Sequence, residues 1–126
     1  MDYVDANVII YAFSGEGVKS EAAELLLGGE LVTSSLSLDE VGWKFFKVSP
    51  KTSGEVLRLL VRSPLLSFKP FSDDLFDDYI ALVEGGLPPR DAIHAATALK
   101  NGCKVIWSED KHFDKVKGLK RKVPWK

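Results

Sequence analysis

Four acidic side chains stand where strands should end or helices begin: Asp5 in VDANVIIYA, Glu40 in SLSLDEVGW, Asp91 in PPRDAIHAATAL and Asp110 in VIWSEDKHFD. Carboxylates gathered by a fold repel one another unless something offsets their charge. A hard divalent cation does so, because Mg²⁺ and Mn²⁺ favour oxygen ligands. If the four converge, they make a metal-dependent phosphoryl-transfer site, and nuclease chemistry is the foremost reading. Two cations about 4 Å apart can bridge such a quartet, one activating water and the other stabilising the leaving oxygen. No nucleophilic side chain and no base of tuned pKa is then required. Asp5 and Asp91 are the expected central ligands, with Glu40 and Asp110 completing the site.

The elements that must position these acids can be read from apolar spacing and punctuation. Short apolar runs at Met1–Val4, Leu31–Thr33 and Lys104–Trp107 predict strands, with further short strands or connections at Leu65–Phe68 and Lys122–Trp125. Helices are predicted over Ala6–Phe13, Val18–Leu27, Ser37–Lys47, Thr52–Arg62, Asp73–Glu84 and Pro89–Asn101. Gly28-Gly29, Gly85-Gly86 and Asn101-Gly102 act as stops, and Pro50 and Pro64 as boundaries. Short strands alternating with longer helices argue for an α/β fold with a mainly parallel sheet. In such sheets sites lie beyond the carboxyl ends of the strands. Asp5 and Asp110 follow strands directly, while Glu40 and Asp91 begin helices, so all four can face one sheet edge.

Each acid also has a local reading. Ser37-Leu38-Asp39-Glu40 has the pattern of a capping box, with Glu40 reaching back to the amide of Ser37. Asp91 lies in a first helical turn, where a carboxylate suits the helix dipole. Asp5 can cap the helix that follows it, and Asp110 can serve a tight turn. Their neighbours add weight to the metal reading. Asn7 stands two residues after Asp5, Ser108 two before Asp110 and Asp114 four after it. Such polar groups orient ligands or water, and Asp114 could hold a second ion.

Composition narrows the class. The 126 residues suffice for one domain, 1–126, and 45% apolar with 28% charged residues is ordinary for a globular chain. No apolar run approaches the roughly 18–20 residues of a membrane span. The N-terminus lacks a signal-peptide layout. The single Cys103 fits a reducing compartment and a small buried hydrophobe. A cytoplasmic location without membrane contact is therefore expected. The net charge of −1 conceals an asymmetry: residues 1–43 hold eight acids against one base, and residues 100–126 nine bases against three acids. A basic rim beside an acidic centre suits a polyanion held over metal, although a solvated lysine-rich tail has the same composition.

Taken together, VDANVIIYAF, LDEVGW, PRDAIHAATAL and WSEDKHFDKV, in this order and with these gaps, resemble the PIN domain family, most closely its small VapC-type toxins. The resemblance covers essentially the whole chain. It implies a three-layer α/β/α fold with a short parallel sheet and one or two Mg²⁺ or Mn²⁺ ions. It further implies cleavage of single-stranded RNA to a 5′-phosphate and a 3′-hydroxyl, frequent homodimers, and a small antitoxin that occupies the site. Asp5, Glu40, Asp91 and Asp110 fall on the family's acidic quartet. Asn7 and Ser108 fall on its supporting polar positions, and Asp114 on an acidic position found in some members.

Around this quartet, Arg90, Lys111 and Lys115 are candidate phosphate contacts. His94, one helical turn after Asp91, reads foremost as a partly buried packing residue, and His112 as exposed or touching substrate. Two histidines at unrelated spacing make no zinc motif. Trp43, Phe45 and Phe46 on the Glu40 helix cannot all point inward, so at least one is expected to meet a partner subunit or an antitoxin helix. A receiver-type phosphoacceptor is disfavoured, because no Asp lies between Glu40 and Asp73. An RNA-binding or assembly module without catalysis and a housekeeping RNA-processing nuclease remain the alternatives.

Overall fold

A computed structural model describes residues 1–125, so Lys126, one of the nine C-terminal bases, lies outside the described residues. The chain runs β1 (Asp2–Val4), α1 (Ala6–Ala12), α2 (Gly17–Leu27), β2 (Leu31–Ser34), α3 (Leu36–Phe46), α4 (Pro50–Arg62) and β3 (Leu66–Lys69). A 3₁₀ turn (Asp73–Leu75), α5 (Phe76–Glu84), α6 (Pro89–Lys100), β4 (Val105–Trp107), a second 3₁₀ turn (Lys111–Lys115) and β5 (Lys120–Lys122) complete it. The strands form one sheet in the order β3-β2-β1-β4-β5, and every pairing is parallel. The chain starts in the middle of the sheet, builds outward through β2 and β3, then crosses back to place β4 on the other side of β1. That reversal makes the end of β1 the switch point of the sheet, where α/β folds open a crevice.

Alternation along the strands sorts the core into two layers, because successive side chains point to opposite faces. Tyr3, Val32 and Ile106 meet Ala92, Ala95 and Ala98 of α6 together with Phe113, Val116 and Leu119. Val4 and Leu31 face the other way, against Val8 and Ile9 of α1, Ala23 of α2, Val41 of α3 and Val56 and Leu60 of α4. The result is the expected α/β/α sandwich. Cys103 is buried in the first layer, as its apolar reading suggested. Among the described residues no helix is long and apolar enough to cross a membrane.

Three local expectations are revised. α3 starts at Leu36, and its N-cap Ser35 makes no side-chain cap bond, so the capping box does not form. Ser37 instead bonds Thr33 at 2.6 Å, while Glu40 reaches a histidine on α6. α4 begins at Pro50 rather than Thr52, with Ser49 accepting from the Thr52 amide at 3.0 Å. The last strand is Lys120–Lys122 instead of the apolar stretch 122–125. An edge strand needs only backbone pairing on one side, and Lys-Arg-Lys satisfies that against Val105–Trp107.

α6 lies close to the sheet because alanines line its inner face: Ala92, Ala95 and Ala98 are wholly buried. Ala95→Leu is expected to lower stability by about 1–3 kcal/mol through overpacking, read as a lower urea midpoint. An unchanged midpoint would mean that the helix has room to spare and does not hold the site by close packing.

Candidate metal centre

Asp5 follows the last residue of β1 and is only 6% exposed. Its amide donates to Trp107 O at 3.0 Å, which continues the β1–β4 ladder one step beyond the strand. Its extended backbone lets the side chain cap α1, with Oδ1 accepting from the Ala6 amide at 2.7 Å. Oδ2 accepts from Ser108 Oγ at 2.7 Å and Asn7 Nδ2 at 3.2 Å. Ser108, at the end of the neighbouring β4, also accepts from the Asp110 amide at 3.0 Å. Asn7 and Ser108 thus fix the carboxylate that sequence placed first among the ligands.

The other acids arrive in pairs with imidazoles. Glu40 Oε1 lies 2.6 Å from His94 Nε2, which is also 3.4 Å from Asp5 Oδ1. Asp91 Oδ2 lies 2.9 Å and Asp110 Oδ1 3.0 Å from His112 Nδ1. Asp110 in addition caps the 3₁₀ turn, accepting from the His112 amide at 2.9 Å. Within each group, Asp5–Glu40–His94 and Asp91–Asp110–His112, one ligand atom per residue falls within 4.8 Å of the others. Ser108 joins the two groups, and the charge of Asp5 adds to the cost of ionising Asp91.

The electrostatics are those of a site short of positive charge. Burial raises the Asp5 carboxyl above its ordinary value and Glu40 adds to the rise, against His94, Ser108 and the Ala6 amide. Burial, reinforced by Asp110, pushes Asp91 up to about 6, with the His112 hydrogen bond pulling the other way. Burial works against a charged His94, yet Glu40, Asp5 and Asp91 outweigh it and the net shift is upward. Hard oxygen donors with unmet negative charge fit a divalent cation such as Mg²⁺ or Mn²⁺.

The remaining candidates divide. Arg90, Lys111 and Lys115 are exposed on the segments that carry Asp91 and Asp110. Asp114 is engaged elsewhere: Arg121 grips its two oxygens at 2.8 and 3.3 Å, so it braces the 3₁₀ turn against β5. Arg121 also donates to Ser108 O at 3.2 Å and steadies the strand end behind the site. His94 is fully buried and hydrogen-bonded on both ring nitrogens, more than the packing residue its sequence suggested. Its Nδ1 partner is Tyr3, for which the sequence offered no signal beyond a position two residues before Asp5. Arg121 was hidden in the basic tail for the same reason, since composition does not say which base pairs inward.

A sequence profile of the PIN domain matches residues 3–119. The chain is 30% identical over 120 residues to Ribonuclease VapC1 of Aquifex aeolicus (strain VF5), covering 88% of this chain and 82% of that protein. Its fold resembles the VapBC2 structure of Rickettsia felis bound to a promoter DNA fragment, with a TM-score of 0.74 at 20% identity and full coverage of both chains. It also resembles a toxin–antitoxin complex from Klebsiella pneumoniae, with a TM-score of 0.75 at 21% identity over 100% of this chain and 99% of that one. VapC20 of Mycobacterium tuberculosis, a toxin that cleaves the sarcin–ricin loop, gives a TM-score of 0.76 at 14% identity over 90% and 93% of the two chains. At these identities the structural likenesses speak for the fold.

The raised carboxyls set a pH dependence. A carboxyl whose folded pKa exceeds its unfolded value contributes stability that is complete below the unfolded value and lost as pH rises through the folded one. For Asp91 that window runs from the ordinary 3.8 to about 6. In EDTA the melting temperature is therefore expected to fall between about pH 4 and about pH 7, and Mn²⁺ should reduce or reverse the fall. Asp91→Asn should raise the melting temperature in EDTA at neutral pH and remove the Mn²⁺ effect. A flat profile in EDTA would contradict the charge imbalance.

Proposed function

Because the chain belongs to the PIN domain family, we propose that it is a Mg²⁺- or Mn²⁺-dependent endoribonuclease that cleaves single-stranded RNA, and the toxin of a toxin–antitoxin pair. The observation that carries this reading is the gathering of Asp5, Glu40, Asp91 and Asp110 into two imidazole-linked groups at the switch point of the sheet. Residues 1–126 act as one nuclease domain in the cytoplasm, and as a homodimer.

When bound, the cation supplies Lewis-acid polarisation of a phosphodiester and acidifies water. Asp5 and Asp91 would hold it, with Glu40 and Asp110 completing the oxygen set. Ser108 and Asn7 keep Asp5 in one orientation, which lowers the reorganisation needed when charge develops. Arg90, Lys111 and Lys115 draw the RNA phosphates to the mouth of the site. Water adds at phosphorus, the bond to the 3′ oxygen breaks, and the products carry a 5′-phosphate and a 3′-hydroxyl.

Support for a protein partner comes from the helix that bears Glu40. Phe45 packs into the core, whereas Trp43 and Phe46 are 57% and 48% exposed and meet edge to face at 5.4 Å. With Leu38, Gly42, Ser53 and Leu57 they line an open groove of about 410 Å³ between α3 and α4. A groove of this kind takes the apolar face of an antitoxin helix.

Two experiments test the proposal. End-labelled single-stranded RNA should be cut by wild type with Mn²⁺ or Mg²⁺, and neither by wild type in EDTA nor by Asp5→Asn. Equal cutting by wild type and Asp5→Asn would move the chemistry elsewhere. Trp43→Lys should weaken binding of the cognate antitoxin by at least about tenfold, measured by calorimetry, while RNA cleavage by the isolated variant persists. Undiminished affinity would remove the groove from the interface.

A further inference from the structure

His94 offers a ring nitrogen to the acidic cluster, and geometry alone would admit it as a metal ligand beside Asp5 and Glu40. The hydrogen bonds at its two nitrogens point to another role. Tyr3, wholly buried on β1, places its hydroxyl 2.6 Å from His94 Nδ1, and the backbone amide of Ser34 on β2 donates to the same hydroxyl at 2.9 Å. On the far side, His94 Nε2 lies 2.6 Å from Glu40 Oε1 and 3.4 Å from Asp5 Oδ1. Four segments, β1, β2, α3 and α6, are thus tied by one line of hydrogen bonds.

The direction of those bonds follows from which groups can donate. An amide only donates, so Ser34 takes up a lone pair of the Tyr3 oxygen. The Tyr3 oxygen keeps its hydrogen and a second lone pair, so it suits Nδ1 with or without a hydrogen. The two carboxylate oxygens at Nε2 call for a hydrogen there, and in the neutral ring Nδ1 then accepts from Tyr3. The reverse arrangement would set a bare Nε2 lone pair against two carboxylate oxygens. An imidazole bearing both hydrogens still donates from Nε2. In each arrangement that satisfies the buried groups, Nε2 is a donor to Glu40.

We infer that Tyr3 and His94 are positioning residues that aim Glu40 into the metal centre, His94 acting as a standing hydrogen-bond donor rather than as a metal ligand. This rests on the metal-dependent reading above for its consequence, though not for its geometry. Glu40 is the quartet member with the longest side chain and makes its hydrogen bond to His94. Held this way, its second oxygen is presented with little rotamer freedom left to lose. Tyr3 and His94 are 0% and 1% exposed, so bulk water does not compete for their hydrogen bonds. Groups that orient a ligand from behind commonly change metal affinity or activity by about 10- to 100-fold when removed.

The test separates the relay from the nuclease reading. Long-range ¹H–¹⁵N correlation on histidine-labelled wild type, without metal and then with Mg²⁺, reports the hydrogen positions of His94 directly. The expected result is a hydrogen on Nε2 in both samples. A bare Nε2, or loss of its hydrogen when Mg²⁺ is added, overturns the inference whether or not the protein cuts RNA. Mn²⁺ affinity by calorimetry then measures the consequence. His94→Leu is expected to weaken Mn²⁺ binding by about 10-fold or more, and His94→Gln, which can keep an N–H near Glu40, to bind close to wild type. Tyr3→Phe should fall between them. Equal affinity for folded His94→Leu and wild type would sink the positioning role. If circular dichroism shows His94→Leu unfolded, His94→Gln decides in its place: a loss as large as that of Asp5→Asn would make His94 a ligand. Wild type that binds no Mn²⁺ would instead refute the metal centre and leave the hydrogen positions to judge the relay.

Discussion

A carboxylate buried at the end of the central strand governs this architecture. Asp5 sits where β1 gives way to α1, between β2 and β4, and removing such a group from water is costly unless its charge is met. The fold meets it only in part. Ser108 comes from the end of β4, the Ala6 amide from the start of α1, Asn7 from the next turn position and His94 from α6. Those contacts fix the neighbouring elements relative to β1, and two of them bring a further acid: Ser108 stands beside Asp110 and His94 beside Glu40. The same bonds that make Asp5 tolerable bring Glu40, Asp91 and Asp110 to it.

That arrangement explains why local and functional readings of the acids were not true alternatives. Asp5 caps α1 and Asp110 caps the 3₁₀ turn, as helix chemistry alone suggests, and both remain in the cluster. In a parallel sheet, helix starts collect at the carboxyl edge of the strands, so caps and site converge on one rim. Glu40 is the exception. Its capping box does not form, because Ser37 is buried against Thr33, whose hydroxyl also donates to Val4 O at 2.7 Å. The residue freed from a local task is the one taken up by a distant histidine.

What the sequence made legible follows the same division. Elements whose signal is apolar periodicity or punctuation stand close to where they were expected, α6 above all, with its proline start and Asn101-Gly102 stop. The placement of the four acids near strand ends and helix starts was legible, because those are local features. β5 was displaced by two residues, since an edge strand of Lys-Arg-Lys carries no apolar pattern and is set by pairing with β4. The pairing of Asp114 with Arg121 was not legible, because it depends on how a 3₁₀ turn lies beside that strand. His94 and Tyr3 lie 91 positions apart, and no spacing rule reaches across such a gap.

The relay bears on which ion the proposed centre selects. Were Nε2 of His94 a ligand, the set would mix imidazole nitrogen with carboxylate oxygen and would suit zinc and its neighbours. With Nε2 a donor to Glu40, as the proposed relay has it, the inner group would offer oxygen alone. His112 differs: it is 53% exposed, and among the described residues its ring pairs with Asp91 and Asp110, so it can leave without unpairing a buried group. Oxygen ligands at the buried end and a displaceable imidazole at the mouth favour a hard cation over a tightly held softer one. On that proposal, the selectivity of the centre would depend on the hydrogen that His94 keeps on Nε2, between Glu40 and the Tyr3 hydroxyl behind the ring.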